Sequence, residues 1–253
     1  MNTTITGAQN MKTNRALRLS GVKGIIFDYG GTLDTAGNHW GRILWEAYQR
    51  QAIPINETQF RSAYIYAERT LGRAPIIQSS YTFYETLSIK IRIEMEQLCA
   101  SGAWNAQEKE IENAQKAILT DLYAQVKQTT QHSRTILQEL KQNYPLVLVS
   151  NFYGNINEVL TEFGLNGFFN TIIESAVVGI RKPDPRIFSL GVEALGAEAC
   201  KIVVVGDSFR KDIEPAIKAG CKTIWFKGKD WEQQNYDERI PDLIISDLDQ
   251  LFV

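Results

Sequence analysis

No run of apolar residues in this sequence approaches the ~18 that a membrane-spanning helix needs, so helical membrane spans are excluded. Cysteine is scarce: Cys99, Cys200 and Cys221 are far apart and odd in number. That leaves no disulfide framework or zinc knuckle and fits a reducing compartment. An excess of one charge is also missing. The 27 Lys and Arg residues nearly balance 29 Asp and Glu, and the basic residues are scattered rather than blocked. No bulk basic field therefore points to a nucleic-acid partner. Internal repeats and low-complexity tracts are absent. The opening MNTTITGAQNMKTNRALRLSG has no apolar segment of the kind a secretory signal carries. It is polar and aperiodic, so residues 1–20 are expected to be a flexible tail. The expectation is a cytoplasmic protein with neither a membrane nor a nucleic-acid partner.

What is present is a change of texture along the 253 residues. Short β-branched runs stand at Gly24–Asp28, Leu146–Ser150, Lys201–Gly206 and Lys222–Phe226, with weaker ones at Thr171–Glu174 and Asp242–Ser246. Brief, apolar and bounded by turn residues, they read as strands of a parallel sheet buried on both faces. Helical spacing lies between them, at Ile156, Val159, Leu160 and Phe163, at Ile187, Leu190, Gly191 and Ala194, and at Ile213, Ala216, Ile217 and Gly220. Asp184 and Pro185 supply a start signal for the second of these helices. Strands alternating with helices give an open α/β sheet. From about Gly41 to His132 the alternation stops. Thr82–Ala100 and Asn105–Gln128 are helix-forming stretches, and the sheet resumes at Pro145. The expected fold is α/β, a three-layer Rossmann-like parallel sheet core with an inserted α-helical cap domain. The core would comprise residues 21–38 and 133–253, and the cap 39–132.

Four segments sit at the C-terminal ends of the strands, the edge where open parallel sheets bind ligands. In FDYGGTL, Asp28 ends a strand, Gly30 and Gly31 free backbone N–H groups to approach an anion, and Thr32 can hold the Asp28 side chain. In VLVSN, Ser150 offers a hydroxyl. In GIRKPDP, Lys182 sits in a loop stiffened by Pro183 and Pro185. In VVVGDSFRKD, Asp207 follows a strand and Asp212 opens the next helix. Carboxylates crowded this way repel one another unless a cation lies between them. Hard oxygen ligands beside an anionic substrate suit Mg²⁺. Lys182 and the backbone donors suit a phosphoryl group, and an ionised carboxylate can act as nucleophile.

These four motifs, in this order, resemble those of the haloacid dehalogenase-like hydrolase superfamily with an α-helical cap inserted after the first motif. The resemblance runs from about Val22 to the end of the chain. It implies an Mg²⁺-dependent hydrolase, a phosphatase acting on a small phosphorylated metabolite. Asp28 would be the nucleophile that forms an aspartyl-phosphate. Asp28, the Gly30 carbonyl and Asp207 would hold the metal, with Asp212 in its outer shell. Gly30, Gly31, Thr32, Ser150, Asn151 and Lys182 would bind the phosphoryl group, and Lys182 would also neutralise Asp28.

One position departs from the pattern. Where phosphatases of the superfamily carry an aspartate that protonates the leaving group, this sequence has Gly30. Such a general acid/base contributes ~10²–10⁴-fold. His39 and Asp34, just beyond the glycine turn, are the candidates to replace it. The alternatives are a binding protein that keeps the phosphate and metal site without turnover, or a branch that cleaves carbon–halogen or carbon–phosphorus bonds. The phosphonate-cleaving branch uses a cap lysine, and Lys90 lies in a helical cap stretch. Cap aromatics such as Tyr64, Tyr66, Tyr81, Phe83 and Tyr84 carry no motif that reveals the substrate.

Overall fold

Strands that are apolar on both faces must be covered on both faces. In the computed structural model, which describes residues 15–231 and 234–253, six strands meet that demand together. They are β1 (Gly24–Phe27), β2 (Leu146–Ser150), β3 (Thr171–Glu174), β4 (Ile202–Gly206), β5 (Lys222–Phe226) and β6 (Leu243–Ile245). All pair in parallel, in the order β3-β2-β1-β4-β5-β6. This is the expected α/β, Rossmann-like sheet. Every residue of β1, β2 and β4 is buried. Successive side chains alternate between two cores, as the pleat requires. Ile25, Phe27, Leu146 and Leu148 face one core; Ile26, Val147, Val149 and Val204 face the other, with Ile187 and Phe188.

Four helices, α1 (Trp40–Arg50), α2 (Glu57–Arg73), α3 (Phe83–Ala100) and α4 (Glu108–Leu140), separate β1 from β2. Capping boxes start α2, through Asn56 with Gln59, and α3, through Thr82 with Glu85. The stretch expected to be helical from Asn105 to Gln128 continues to Leu140. Its buried face carries on through Thr130, Ser133, Leu137 and Leu140, and no Gly or Pro interrupts it. Residue 132 therefore lies inside a helix rather than at a break. The remaining helices are α5 (Ile156–Glu162), α6 (Ser175–Val178), α7 (Arg186–Leu195) and α8 (Glu214–Lys218). A single π-helical turn, Phe209–Ile213, precedes α8. No described helix is long and apolar enough to cross a membrane.

The flexible-tail expectation lies outside the described residues for positions 1–14. Beyond them it needs correcting. Leu17 is buried and bridges antiparallel to Phe252, and Arg15 pairs with Glu139 at 2.8 Å and Asp249 at 3.1 Å. The polar texture of the segment hid one apolar anchor and one cation, which join it to both α4 and the C-terminus.

Candidate active site

The strand order reverses direction between β1 and β4, and a crevice opens at such a point. Register places Phe27 opposite Val205, so the residues that follow these two strands share the crevice. The Asp28 N–H donates to the Val205 carbonyl at 3.0 Å. Thr32 ties the two segments together. Its hydroxyl lies 3.2 Å from an Asp28 carboxylate oxygen and 3.1 Å from one of Asp207, and accepts the Asp207 N–H at 3.0 Å. Gly31 has φ +102°, and a Cβ there would overlap the Asp207 carboxylate, so only glycine lets the turn close. Gly30 differs: its φ is outside the left-handed region, and a Cβ would meet no atom within 4 Å.

Lys182 enters from the loop after α6. Its ammonium is buried and donates to Asp28 and, at 2.7 Å, to Asp212. Asn151, at the end of β2, clamps the Lys182 backbone from both sides: its amide donates to the Lys182 carbonyl and accepts the Lys182 N–H, each at 3.0 Å. The second Asp212 oxygen accepts the Ser208 N–H at 3.0 Å. Carboxylate oxygens of Asp28, Asp207 and Asp212 all lie within 4.8 Å of one another. One cation thus faces three carboxylates. Burial, only partly offset by Lys182, pushes Asp28 up to about 6. Burial and the charges of Asp212 and Asp28 push Asp207 well above the ordinary carboxylate range. Burial opposes the Lys182 charge, but Asp212 and Asp28 outweigh it and hold the ammonium above its ordinary value. The uncompensated negative charge on hard oxygen ligands is what a divalent cation would relieve, so the residues present fit Mg²⁺.

Lys182→Met should therefore lower stability by roughly 3–5 kcal/mol at pH 7.5, because it strands buried carboxylates without their cation. The Lys182 contribution is fully present below its ordinary pKa and would be lost only as pH rises through the elevated folded value. On the acid side the deficit should shrink below about pH 6, as the carboxylates protonate. Urea unfolding of both proteins at pH 5 and pH 7.5 checks this. An equal deficit at the two pH values would contradict it.

A cavity of about 150 Å³ opens above this cluster. Asp28, Gly30, Ser150, Asn151, Lys182, Asp207 and Asp212 all line it, as do Asp34 and His39. The two candidate proton carriers are held differently. Asp34 is buried, with its oxygens accepting the Gly31 N–H at 2.7 Å and the Trp40 indole N–H at 3.0 Å. Burial pushes its carboxyl up to about 7. His39 caps α1, its Nδ1 accepting the Gly41 N–H at 3.1 Å, and its ring lies edge-on to Trp231. Burial, with Lys211 nearby, pushes it down to about 4, so it is neutral at pH 7. The helical insertion adds Tyr64, Glu68, Phe83, Leu87 and Lys90 to the wall, and the loop after β2 adds Tyr153. Sequence reasoning missed Glu68 and Tyr153. Glu68 lies one helical turn beyond Tyr64, which is its one sequence signal.

A sequence profile of the haloacid dehalogenase-like hydrolases matches residues 22–220. The chain belongs to this family. Among relatives of known name, a glyceraldehyde 3-phosphate phosphatase from Pyrococcus furiosus is 31% identical over 122 residues, covering 47% of this chain and 50% of the relative. A phosphoserine phosphatase from Thermus thermophilus is 33% identical over 115 residues, covering 45% of each. The chain thus spans about half the length of the curated relatives it matches. The crystal structure of YfnB from Bacillus subtilis, a putative hydrolase of the family bound to magnesium, superposes with a TM-score of 0.55. It covers 91% of this chain and 96% of its own at 20% identity, and so shares the haloacid dehalogenase-like fold.

Proposed function

We propose that the chain is a cytoplasmic Mg²⁺-dependent phosphatase that hydrolyses small phosphorylated metabolites through an aspartyl-phosphate on Asp28. The observation that carries this reading is the buried Lys182 held between Asp28 and Asp212 beneath the cavity, with Asp207 alongside. The Asp28 carboxylate attacks phosphorus and the ester oxygen leaves. Water then attacks the aspartyl-phosphate, releasing inorganic phosphate and restoring Asp28. Lys182, Ser150 and the Gly30 N–H bind the phosphoryl oxygens, while Asn151 holds Lys182 in place; the Gly31 N–H is taken by Asp34 and the Thr32 hydroxyl by Asp28 and Asp207, so these two shape the turn instead of meeting the phosphoryl group. Asp28, Asp207 and the Gly30 carbonyl would hold the metal, with Asp212 behind them, and the bound ion would offset the charge of the phosphoryl oxygens.

Gly30 has no side chain to carry a proton. Asp34 takes that role in this reading, because it lines the cavity and titrates near neutrality, where a general acid/base works best. His39 serves as the cap of α1 at the junction with the insertion. The four inserted helices act as a cap that excludes water from the reaction. Lys90 also reaches the cavity, but Glu68 engages its ammonium. That pairing suits recognition of a leaving group, whereas imine chemistry needs a neutral amine.

The test is release of phosphate from an aryl phosphate with and without Mg²⁺. Turnover that needs Mg²⁺ and stops with a chelator supports the reading. Phosphate and Mg²⁺ binding without any turnover would replace it with the binding-protein reading that Gly30 favours.

A further inference from the structure

After β5 the chain runs back along the segment that leads from the catalytic turn into α1, and the two are joined step by step. The Gly228 N–H donates to the Gly37 carbonyl at 3.1 Å. The Lys229 N–H donates to the Asn38 side chain at 2.9 Å, and the Lys229 carbonyl accepts the His39 N–H at 3.0 Å. Trp231 then reaches into the inserted helices. Its ring lies parallel to Phe60 of α2 with centroids 5.6 Å apart, stands 5.0 Å from Tyr64 and meets His39 edge-on at 5.7 Å. The Arg61 guanidinium sits over it at 5.3 Å. The ring fills a notch left by Gly41 in the first turn of α1, where a Cβ would overlap its carbons. Between His39 and Gly41 is Trp40, whose indole N–H holds Asp34. Trp231 lines a neighbouring cavity and not the catalytic one, which Asp34, His39 and Trp40 line.

Resting on the phosphatase reading, we infer that Trp231 is a positioning residue for proton transfer: it clamps the first turn of α1 so that Trp40 holds Asp34 against the leaving oxygen. A proton carrier works only from the right place, and a misplacement of about 1 Å can cost ~10²-fold. Two bonds place the Asp34 carboxyl, one from the Gly31 N–H at 2.7 Å and one from the Trp40 indole at 3.0 Å. The first comes from the glycine turn beside Asp28. The second depends on where α1 begins. Helix starts fray, because their first N–H groups have no partner within the helix. The His39 side chain caps one of these, the Gly41 N–H. Trp231 adds a second restraint by bearing on both His39 and Gly41, the neighbours of Trp40 on either side. Its own ring is fixed by the aromatic contacts with Phe60 and Tyr64. A residue from the core loop thus sets the position of a group it never touches.

The test reads the ratio of kcat on an alkyl phosphate to kcat on an aryl phosphate, since only the alkyl leaving group needs the proton. A ratio taken on one preparation does not depend on how much of it is folded. Asp34→Asn sets the scale of the loss. Trp231→Ala should lower the ratio roughly 10-fold, a part of the ~10²–10⁴-fold that a general acid/base supplies. Gly41→Ala should do the same with Trp231 in place, because its Cβ expels the ring. It should add nothing in the Trp231→Ala background, where the notch is empty. Neither change should move the ratio further on top of Asp34→Asn. A wild-type ratio in Trp231→Ala or Gly41→Ala, or a further fall in the Asp34→Asn background, overturns the inference while leaving the phosphatase reading intact. Asp34→Asn without effect on the ratio would strike Asp34 as proton carrier and this inference with it. No turnover of the aryl phosphate would remove the phosphatase reading as a whole.

Discussion

Asp28→Asn is expected to reduce phosphate release by on the order of 10⁴-fold or more, with no loss of stability in metal-free buffer. Losses of that size follow when the group that forms the covalent intermediate is removed. The amide is nearly the same shape as the carboxylate and can still accept the Lys182 hydrogen bond, so the pocket stays filled. Lys182 keeps Asp212 at 2.7 Å as its counter-ion. Meanwhile one of three mutually repelling carboxylates disappears, and the charge felt by Asp207 from Asp28 goes with it. Activity and stability should therefore part company: turnover vanishes while the thermal midpoint holds or rises. Calorimetry beside a phosphate-release assay on one preparation measures both. Turnover that persists above about one per cent of wild type would mean that another group attacks phosphorus.

Gly30→Asp should do the reverse and raise kcat on alkyl phosphates by on the order of 10²-fold, the lower end of what a general acid/base contributes. The structure leaves room for the change. A Cβ at Gly30 would touch nothing within 4 Å, and the residue needs no left-handed backbone. The neighbouring Gly31 allows neither, because its φ is +102° and Asp207 fills the space where its Cβ would stand. The gain should depend on the leaving group. An alkoxide needs a proton to depart, whereas an aryl oxide does not, so aryl phosphates should gain far less. It should also depend on Asp34. If Asp34 already moves the proton, Asp34→Asn slows alkyl esters most, and adding Gly30→Asp restores the larger part of the loss. A Gly30→Asp variant no faster on alkyl than on aryl esters, in either background, would take proton transfer out of the rate-limiting step.

The sheet and its catalytic edge were legible because each depends on residues close together in sequence. The runs Leu146–Ser150 and Lys222–Phe226 are strands with those bounds. The motifs at the ends of β1, β2 and β4, with Lys182, meet around one cavity because parallel strands all end on the same side of the sheet. Asn151 was legible as a site residue but not as a clamp, since its amide engages the backbone of a residue 31 positions away. The cap was legible only as helix. Glu68, Lys90 and Tyr153 come from three separate elements, and no spacing within one element announces that they converge. The extent of α4 was hidden for a related reason. Its last turns are held by the core through Ser133, which donates to the Leu33 carbonyl at 2.8 Å, and through Glu139, which meets Arg15.

That helix has a mechanical consequence. At 33 residues, α4 is about 50 Å long, and a continuous helix bends sharply only where Pro, Gly or a broken hydrogen bond lets it. It contains neither Pro nor Gly. The other crossing between the sheet and the inserted helices is the short segment before α1, where Asn38 accepts the Lys229 N–H at 2.9 Å. One connection is a stiff shaft anchored at its C-terminal end, and the other is a short, hydrogen-bonded segment. Any swing of the inserted helices has to turn about that shaft and break the bonds that tie them to α5, where Asn155 donates to the Tyr81 carbonyl at 2.7 Å and Tyr123 donates to Glu162 at 2.8 Å.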